Sequence, residues 1–353
     1  MAIKPRVVYL GTATQSHQNN TPDTSSGLVS HLQLWGYSVI LASSYQSALT
    51  RLIHMIWVVL TRVNRHTLVL IDTYSTSNFY GALLLSWLIR LKRAPYIPIL
   101  HGGRLPKRMN SANRLIQQYF VNAKALVAPS EYLAEVARAQ NWPVQVIPNG
   151  LNLSDYPRVA PKPLKPVLLW VRAFDHIYRP MLALNVLKTL QQNHPEAELY
   201  MVGPDKDGSL NPCKEFAKSH QLNVHFTGKL SKKQWTQLAS KASIFLNTSA
   251  IDNAPVSVVE AMALGLPVVS SAVGGLPFLI EHTRSGFLIP EAQEVKMATQ
   301  FAAAIEELIQ GNCDLGSITD LARSKAELHD WSKVWPLWEA HIYSIFEEEE
   351  SRE

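Results

Sequence analysis

At 353 residues the chain is long enough for two domains. Apolar residues make up 47% and charged residues 17%, which excludes a disordered chain and describes one with large cores. Two cysteines, Cys213 and Cys313, exclude a disulfide framework, and the charge is uneven: residues 1–158 hold 15 Lys and Arg against 5 Asp and Glu, a net of +10, while the remainder holds 18 against 23, a net of −5.

The basic first half points to an anionic partner: a membrane surface, a phosphorylated lipid or nucleic acid. Lys4 and Arg6 precede only the short run Val7 to Gly11, so no signal-peptide pattern is visible. No run reaches the roughly 18 apolar residues of a spanning helix. A reducing, cytoplasmic compartment is the expectation.

Taken in chain order, strand-like runs alternate with helical stretches. The first series is Arg6–Gly11, Tyr37–Ala42, Thr67–Asp72, Tyr96–His101, Leu126–Pro129 and Val144–Pro148. A long polar loop, Thr12 to Ser26, follows the first run, with Gly27 before a helix. Two stretches, Arg51 to Arg62 and Gly81 to Arg93, are apolar with basic ends. Each reads mainly as a core helix of the first domain, and each can also lie at a membrane interface with Trp57 or Trp87 as anchor. Four prolines in Tyr156–Pro166 mark an extended linker.

The second series is Val167–Arg172, Glu198–Gly203, Val224–Gly228, Ser243–Asn247, Pro267–Ser271 and Gly286–Ile289. Asp205-Lys206-Asp207 lies in a polar stretch that reads as a turn rather than a metal motif. Asp252 to Gly275 reads as acidic loop, helix, glycine turn, buried strand and second glycine turn. Asn253 can cap that helix, Pro255 suits its first turn, and Gly265 can end it. A helix start beside an acidic residue, with Gly274-Gly275 one strand on, can bind a phosphorylated, hydroxyl-rich ligand. The last stretch reads as a helix with Trp331, Trp335, Trp338, Ile342 and Phe346 on one face, and Glu347–Glu350 as its solvated end. Two parallel, doubly wound α/β domains are the fold class this alternation predicts.

The segment Asp252 to Gly275 resembles the donor-site signature of family 4 retaining glycosyltransferases. The matching residues are Glu260-Ala261-Met262-Ala263, Gly265, Pro267-Val268-Val269 and Gly274-Gly275, with Asp252 where the family has its first glutamate. The resemblance implies the GT-B architecture: residues 1–158 as an acceptor-side Rossmann-like domain, 159–330 as the nucleotide-sugar domain, the two facing a cleft, and 331–353 as a helix crossing back to the first. It implies that Arg172 contacts the diphosphate, usually with a lysine close by; the next basic residue here is Arg179. It further implies that Glu260 accepts the ribose hydroxyls and that Asp252 faces the sugar. Asn253, Ala254, Pro255 and Val256 would offer the helix start to the donor. Gly203, and Lys229-Leu230 through their backbone, would lie near the nucleotide. His101 would stand close to the transferred sugar, with Gly102-Gly103 beside it. Asp72, at a neighbouring strand tip, is a candidate to orient the acceptor. The family commonly has a Gly-Gly turn after the first strand, and Gly27 is its substitute here.

The function so implied is a metal-independent, retaining hexosyltransferase working by front-face attack, with no cofactor. UDP-sugar is the preferred donor and a glycan or lipid-linked hydroxyl the acceptor. Peripheral contact with an anionic membrane at its inner face is expected, and nucleic acid is not a partner. A nucleotide-sugar epimerase of the same fold and a non-catalytic sugar-nucleotide binder are the alternatives. A nicotinamide dehydrogenase is disfavoured because no G-x-G-x-x-G opens either first helix.

Overall fold

A computed structural model describes residues 4–11, 24–42, 45, 47–159 and 164–350. Most of the polar loop 12–26, part of the proline-rich linker and the acidic side chains of 347–350 lie outside the described residues. The chain divides into two compact units, Met1–Gly150 with Trp331–Glu353, and Leu151–Asp330. The division falls at Gly150, ahead of the linker that the prolines mark.

Unit 1 alternates strand and helix, with two helices between β4 and β5: β1 (Arg6–Leu10), α1 (Thr24–Leu34), β2 (Ser38–Ala42), α2 (Ala48–Arg62), β3 (Thr67–Tyr74), α3 (Asn78–Leu91), β4 (Tyr96–His101), α4 (Leu105–Met109), α5 (Arg114–Val121), β5 (Leu126–Ala128), α6 (Glu131–Ala139) and β6 (Val144–Val146). Its sheet is parallel, in the order β2-β1-β3-β4-β5-β6. The order reverses between β1 and β3, and a doubly wound sheet opens its ligand crevice at such a point, beyond the carboxyl ends of the strands. Central strands are covered on both faces, which is why β1, β3 and β4 read as near-continuous apolar runs.

Unit 2 repeats the pattern: β7 (Val167–Val171), α7 (Pro180–Leu190), β8 (Glu198–Val202), α8 (Leu210–Ser219), β9 (Val224–Gly228), α9 (Lys232–Ala239), β10 (Ile244–Asn247), α10 (Val256–Ala263), β11 (Val268–Ser271), α11 (Leu276–Leu279), β12 (Phe287–Ile289), α12 (Glu294–Ile309) and α13 (Leu315–Glu327). Its sheet order is β12-β11-β10-β7-β8-β9, all parallel, so its switch point lies between β7 and β10. Cys213 is buried and free, and burial pushes its thiol up to about 12, which makes it an unreactive core residue.

The last helix, α14 (Trp331–Glu350), belongs to unit 1. Trp331, Val334, Trp335, Trp338, Ile342 and Ile345 are buried on it against Tyr9, Leu28, Leu32 and Tyr37. Trp335 stacks on Trp35 at 4.1 Å and Trp331 on His31 at 4.0 Å between ring centroids. A methyl at Gly150 would overlap the Trp331 ring, so glycine there lets the chain leave unit 1 against that indole.

Helices α2 and α3 depart in part from the core reading. Met55, Val58 and Val59 of α2 and Phe79, Ala82, Leu85 and Ile89 of α3 are buried. Leu49, Ile53, Trp57 and Leu60 on α2, and Tyr80, Leu84, Trp87 and Leu91 on α3, are exposed. Their spacings of three and four residues draw one apolar stripe along each helix. Apolar periodicity gave both faces of these helices, and only tertiary packing decides which face is covered.

Candidate functional site

The unit 2 site is assembled at the switch point. Arg172 follows β7 directly, and its backbone N–H donates to the Val202 carbonyl at 3.0 Å. Gly203 sits at the tip of β8 with φ +154°, and a methyl there would overlap the Arg172 carbonyl oxygen. Gly203 therefore lets β8 close over Arg172 and fixes that strand end. The Arg172 guanidinium donates to Asp252 Oδ2 at 2.6 Å and, through Nε, to Asn247 Oδ1 at 3.4 Å. It lies 5.2 Å from the centroid of the Tyr178 ring. The side chains of the pair are 14% and 12% exposed, so they keep access to a ligand.

Asp252 lies within the loop from β10 to α10, and its Oδ1 accepts from the Asn253 N–H at 3.1 Å. A methyl at Gly274 would overlap the Asp252 carbonyl, and one at Gly275 the Asn253 carbonyl. The two glycines thus let the turn after β11 lie flat on the acidic loop; their evident task is to hold Asp252 and Asn253 in place. Asn253 does not cap α10. Pro255 is the N-cap, extended at ψ 105°, and the helix starts at Val256. A cap at Asn253 would need Ala254 in the helical region just before a proline, which the proline ring disfavours. Ser257 Oγ, in the first turn, is buried with no hydrogen-bond partner among the described residues. Gly265, at φ +79°, takes the left-handed conformation that ends the helix.

Glu260 points from α10 into a buried polar cluster. Its Oε1 accepts from the Tyr156 hydroxyl and faces Lys232 Nζ at 3.2 Å. Burial and the adjacent Glu260 push the Tyr156 hydroxyl far up, so it stays a proton donor. Lys232 also lies 5.6 Å from the centroid of the Tyr156 ring.

In unit 1 the corresponding switch point holds Asp72, whose side chain is 1% exposed. Its Oδ1 accepts from the Tyr9 hydroxyl at 2.7 Å and pairs with His101 Nε2 at 2.9 Å. The His101 ring stacks on Tyr74 with centroids 4.8 Å apart. A methyl at Gly11 would overlap Asp72 Oδ2, so glycine at the β1 tip makes room for that carboxylate. Gly102 follows β4 with φ +86°, and the Gly103 carbonyl accepts from the Tyr132 hydroxyl at 3.3 Å.

Residues 156–323 match the sequence model of the family described as glycosyl transferases group 1. That match lies within the second unit. The chain is 25% identical over 281 residues to an amylovoran biosynthesis glycosyltransferase, AmsK, of Erwinia amylovora, across 70% of this chain and 64% of that relative. It spans less than two thirds of the length of the first curated relatives it matches. Among solved structures, a sucrose-phosphate synthase from Thermosynechococcus elongatus superposes with a TM-score of 0.77 at 17% identity, over 97% of this chain and 99% of that one. The Anabaena protein Alr3699/HepE, solved in complex with UDP-glucose, superposes at 0.71 and 18% identity, over 98% and 100%. These likenesses show the fold, which is the GT-B type.

Within the matched segment, the structure brings Arg172 and Asp252 together and puts Glu260 on α10 with Lys232. Lys232 and Tyr156 carried no sequence signal, since neither belongs to the motif; only the Lys229-Leu230 segment before α9 pointed that way. Leu230 is half-buried against the domain core, just after Gly228 ends β9. Arg179 is spent elsewhere: both terminal nitrogens donate to the Glu291 carboxylate at 2.8 Å. Asp205-Lys206-Asp207 does form a turn, with Gly208 N–H on Asp205 and Ser209 N–H on Asp207. The Ser209 hydroxyl and the His176 N–H hold the Asp207 carboxyl well below the usual carboxylate range. Asp175, His176 and Asp207 each place a ligand atom within 4.8 Å of the others, the set best able to meet a metal among the described residues. Gly27 is not at the β1 tip; it lies inside α1 facing Trp331, and Gly11 holds the tip instead.

Proposed function

We propose that the chain is a metal-independent, retaining glycosyltransferase that moves a sugar from a nucleotide-diphosphate sugar, UDP-sugar by preference, to a glycan or lipid-linked hydroxyl. The observation that carries this reading is the Arg172–Asp252 pair at the switch point of a group 1 domain, beside the start of α10. Uridine is supported by the UDP-glucose complex of the Anabaena relative in fold.

The chemistry follows from the groups present. The bond from the anomeric carbon to the phosphate oxygen breaks, and the acceptor oxygen bonds to the same face of the sugar. The acceptor proton passes to the departing phosphate. Arg172 stabilises the charge developing on that phosphate, since a guanidinium fork can hold two of its oxygens. Asp252, released from Arg172 as the diphosphate takes its place, turns to the sugar hydroxyls. Glu260 accepts the ribose hydroxyls, with Tyr156 and Lys232 fixing its orientation. Ser257 Oγ and the free N–H groups at the start of α10 take remaining phosphate or sugar oxygens. Lys232 supplies a second cation to this wall, the part Arg179 was expected to play. In unit 1, Asp72 accepts from Tyr9 and fixes the His101 ring at the strand tips, on the acceptor side of the proposed reaction.

Incubation with a panel of UDP-sugars and a membrane-lipid extract tests the proposal. The expected products are UDP and a glycosylated acceptor with the donor's anomeric configuration. A new sugar nucleotide formed from donor alone would identify an epimerase instead.

We also propose that unit 1 works at an anionic membrane surface, on the cytoplasmic side. No described helix is long and apolar enough to cross a membrane. The stripes on α2 and α3 offer Trp57 and Trp87 at 52% and 55% exposure, and Arg62, Arg90, Lys92 and Arg93 flank them. Wild-type protein is expected to sediment with vesicles containing anionic lipid, and Trp57→Ser with Trp87→Ser to lower the bound fraction severalfold. Equal sedimentation of the double variant would remove this surface from the account.

A further inference from the structure

A pocket of about 330 Å³ opens in unit 1 between α2, α3 and the carboxyl ends of β1 and β3. Its walls are mainly apolar: Leu49, Leu52, Met55, Ile71, Ala82 and Leu85. Three features of different chemistry complete it. Gly11 and Asp72 border it at the switch point, so it abuts the Asp72–His101 pair. Arg51 lines it from α2, with no carboxylate partner among the described residues. Leu49 belongs both to its wall and to the exposed stripe of α2, so pocket and stripe are continuous.

We infer that this pocket binds a single hydrocarbon chain of an anionic acceptor lipid, with Arg51 meeting the anionic group and Asp72 marking the end where the acceptor hydroxyl is presented. The inference rests on the acceptor being lipid-linked, one branch of the proposed function. A sugar chain is a weaker occupant: polar side chains enter the lining only at Arg51, Asp72, Tyr74, Ser77 and Asn78, the rest of the wall is apolar, and hydroxyls buried against it unpaired are costly. At roughly 30 Å³ per water-sized group the pocket holds about ten carbons, the near part of one chain. The rest of a longer chain would continue along the apolar stripe of α2 into the bilayer. Arg51 at the wall gives a phosphate-bearing lipid an ionic partner that a neutral hydrocarbon would leave bare.

Direct binding tests this without turnover. Dodecyl phosphate, kept below its micelle concentration, is expected to bind wild-type protein, and butyl phosphate at least a hundredfold more weakly, because the chain carries the affinity. Ala82→Leu fills the pocket from α3, and Ala48→Trp blocks it from an exposed position where folding is not at stake. Each is expected to weaken dodecyl phosphate at least tenfold, and Arg51→Gln severalfold. The rise in Tm caused by UDP should stay at its wild-type size in all three, which certifies folding. A farnesyl phosphate arm reads whether the chain is isoprenoid or linear, and tight binding of either supports the pocket. Equal affinity for butyl and dodecyl phosphate, or wild-type binding by both Ala48→Trp and Ala82→Leu, would overturn it. Sugar transfer to a soluble glycan with no alkyl phosphate binding would remove the pocket and leave the transferase reading in place. Alkyl phosphate binding with no response to any nucleotide sugar would do the reverse.

Discussion

Arg172→Ala is expected to lower turnover by about 10²–10³-fold, the usual cost of removing one preorganised group that stabilises transition-state charge. In the proposed reaction the residue is held in position before any donor arrives. Gly203 closes over its carbonyl, and Asn247 and Asp252 hold the guanidinium. Arg172→Lys should recover little of the loss, because an ammonium lacks the planar fork that grips two phosphate oxygens. The fold should survive, since Arg172 touches solvent and Asp252 can hydrate when unpaired. Steady-state UDP release, measured beside a thermal melt, separates the two effects. Wild-type turnover in Arg172→Ala would remove the residue from the site.

Glu260 gives the second large effect, and it needs two substitutions to read cleanly. In Glu260→Ala the buried Tyr156 hydroxyl loses its acceptor and Lys232 loses its counter-charge. An orphaned buried donor costs about 1–3 kcal/mol, so this variant should lose both donor binding and some stability. Glu260→Gln keeps a carbonyl oxygen for Tyr156 and preserves the shape. It should melt near wild type yet bind UDP roughly 10- to 100-fold more weakly, since hydrogen bonds to a charged acceptor are worth about 1.5–3 kcal/mol. Full UDP affinity in Glu260→Gln would show that the carboxylate has only a structural task.

Much of this was legible before the structure. All twelve strands were readable, because strands buried on both faces show as short apolar runs whatever surrounds them. The one strand clearly underestimated was β3, which continues past Asp72 to Tyr74; the polar Thr73 hid the extension, although it is buried. Asp252, Glu260 and the glycine pair were legible because they sit in one contiguous motif, and Arg172 because it directly follows the first strand of the second series. Tyr156, Lys232 and Tyr9 were not, because each reaches its partner from a distant element and no spacing ties them together. Gly203, Gly274 and Gly275 were expected beside the donor; what the sequence could not tell was that each is required by a neighbouring carbonyl. The cap at Asn253 failed for a local reason, the proline two residues on. The apolar stripes of α2 and α3 were visible as composition, but their exposure depends on what the rest of unit 1 leaves uncovered.

Titration calorimetry of UDP into wild-type protein, Arg172→Ala and Glu260→Gln is the most direct test of the claim that this wall of unit 2 holds a nucleotide diphosphate. The account predicts saturable binding to the wild type, weakened at least tenfold by each substitution. No UDP binding by the wild type, or equal affinity in all three proteins, would contradict it.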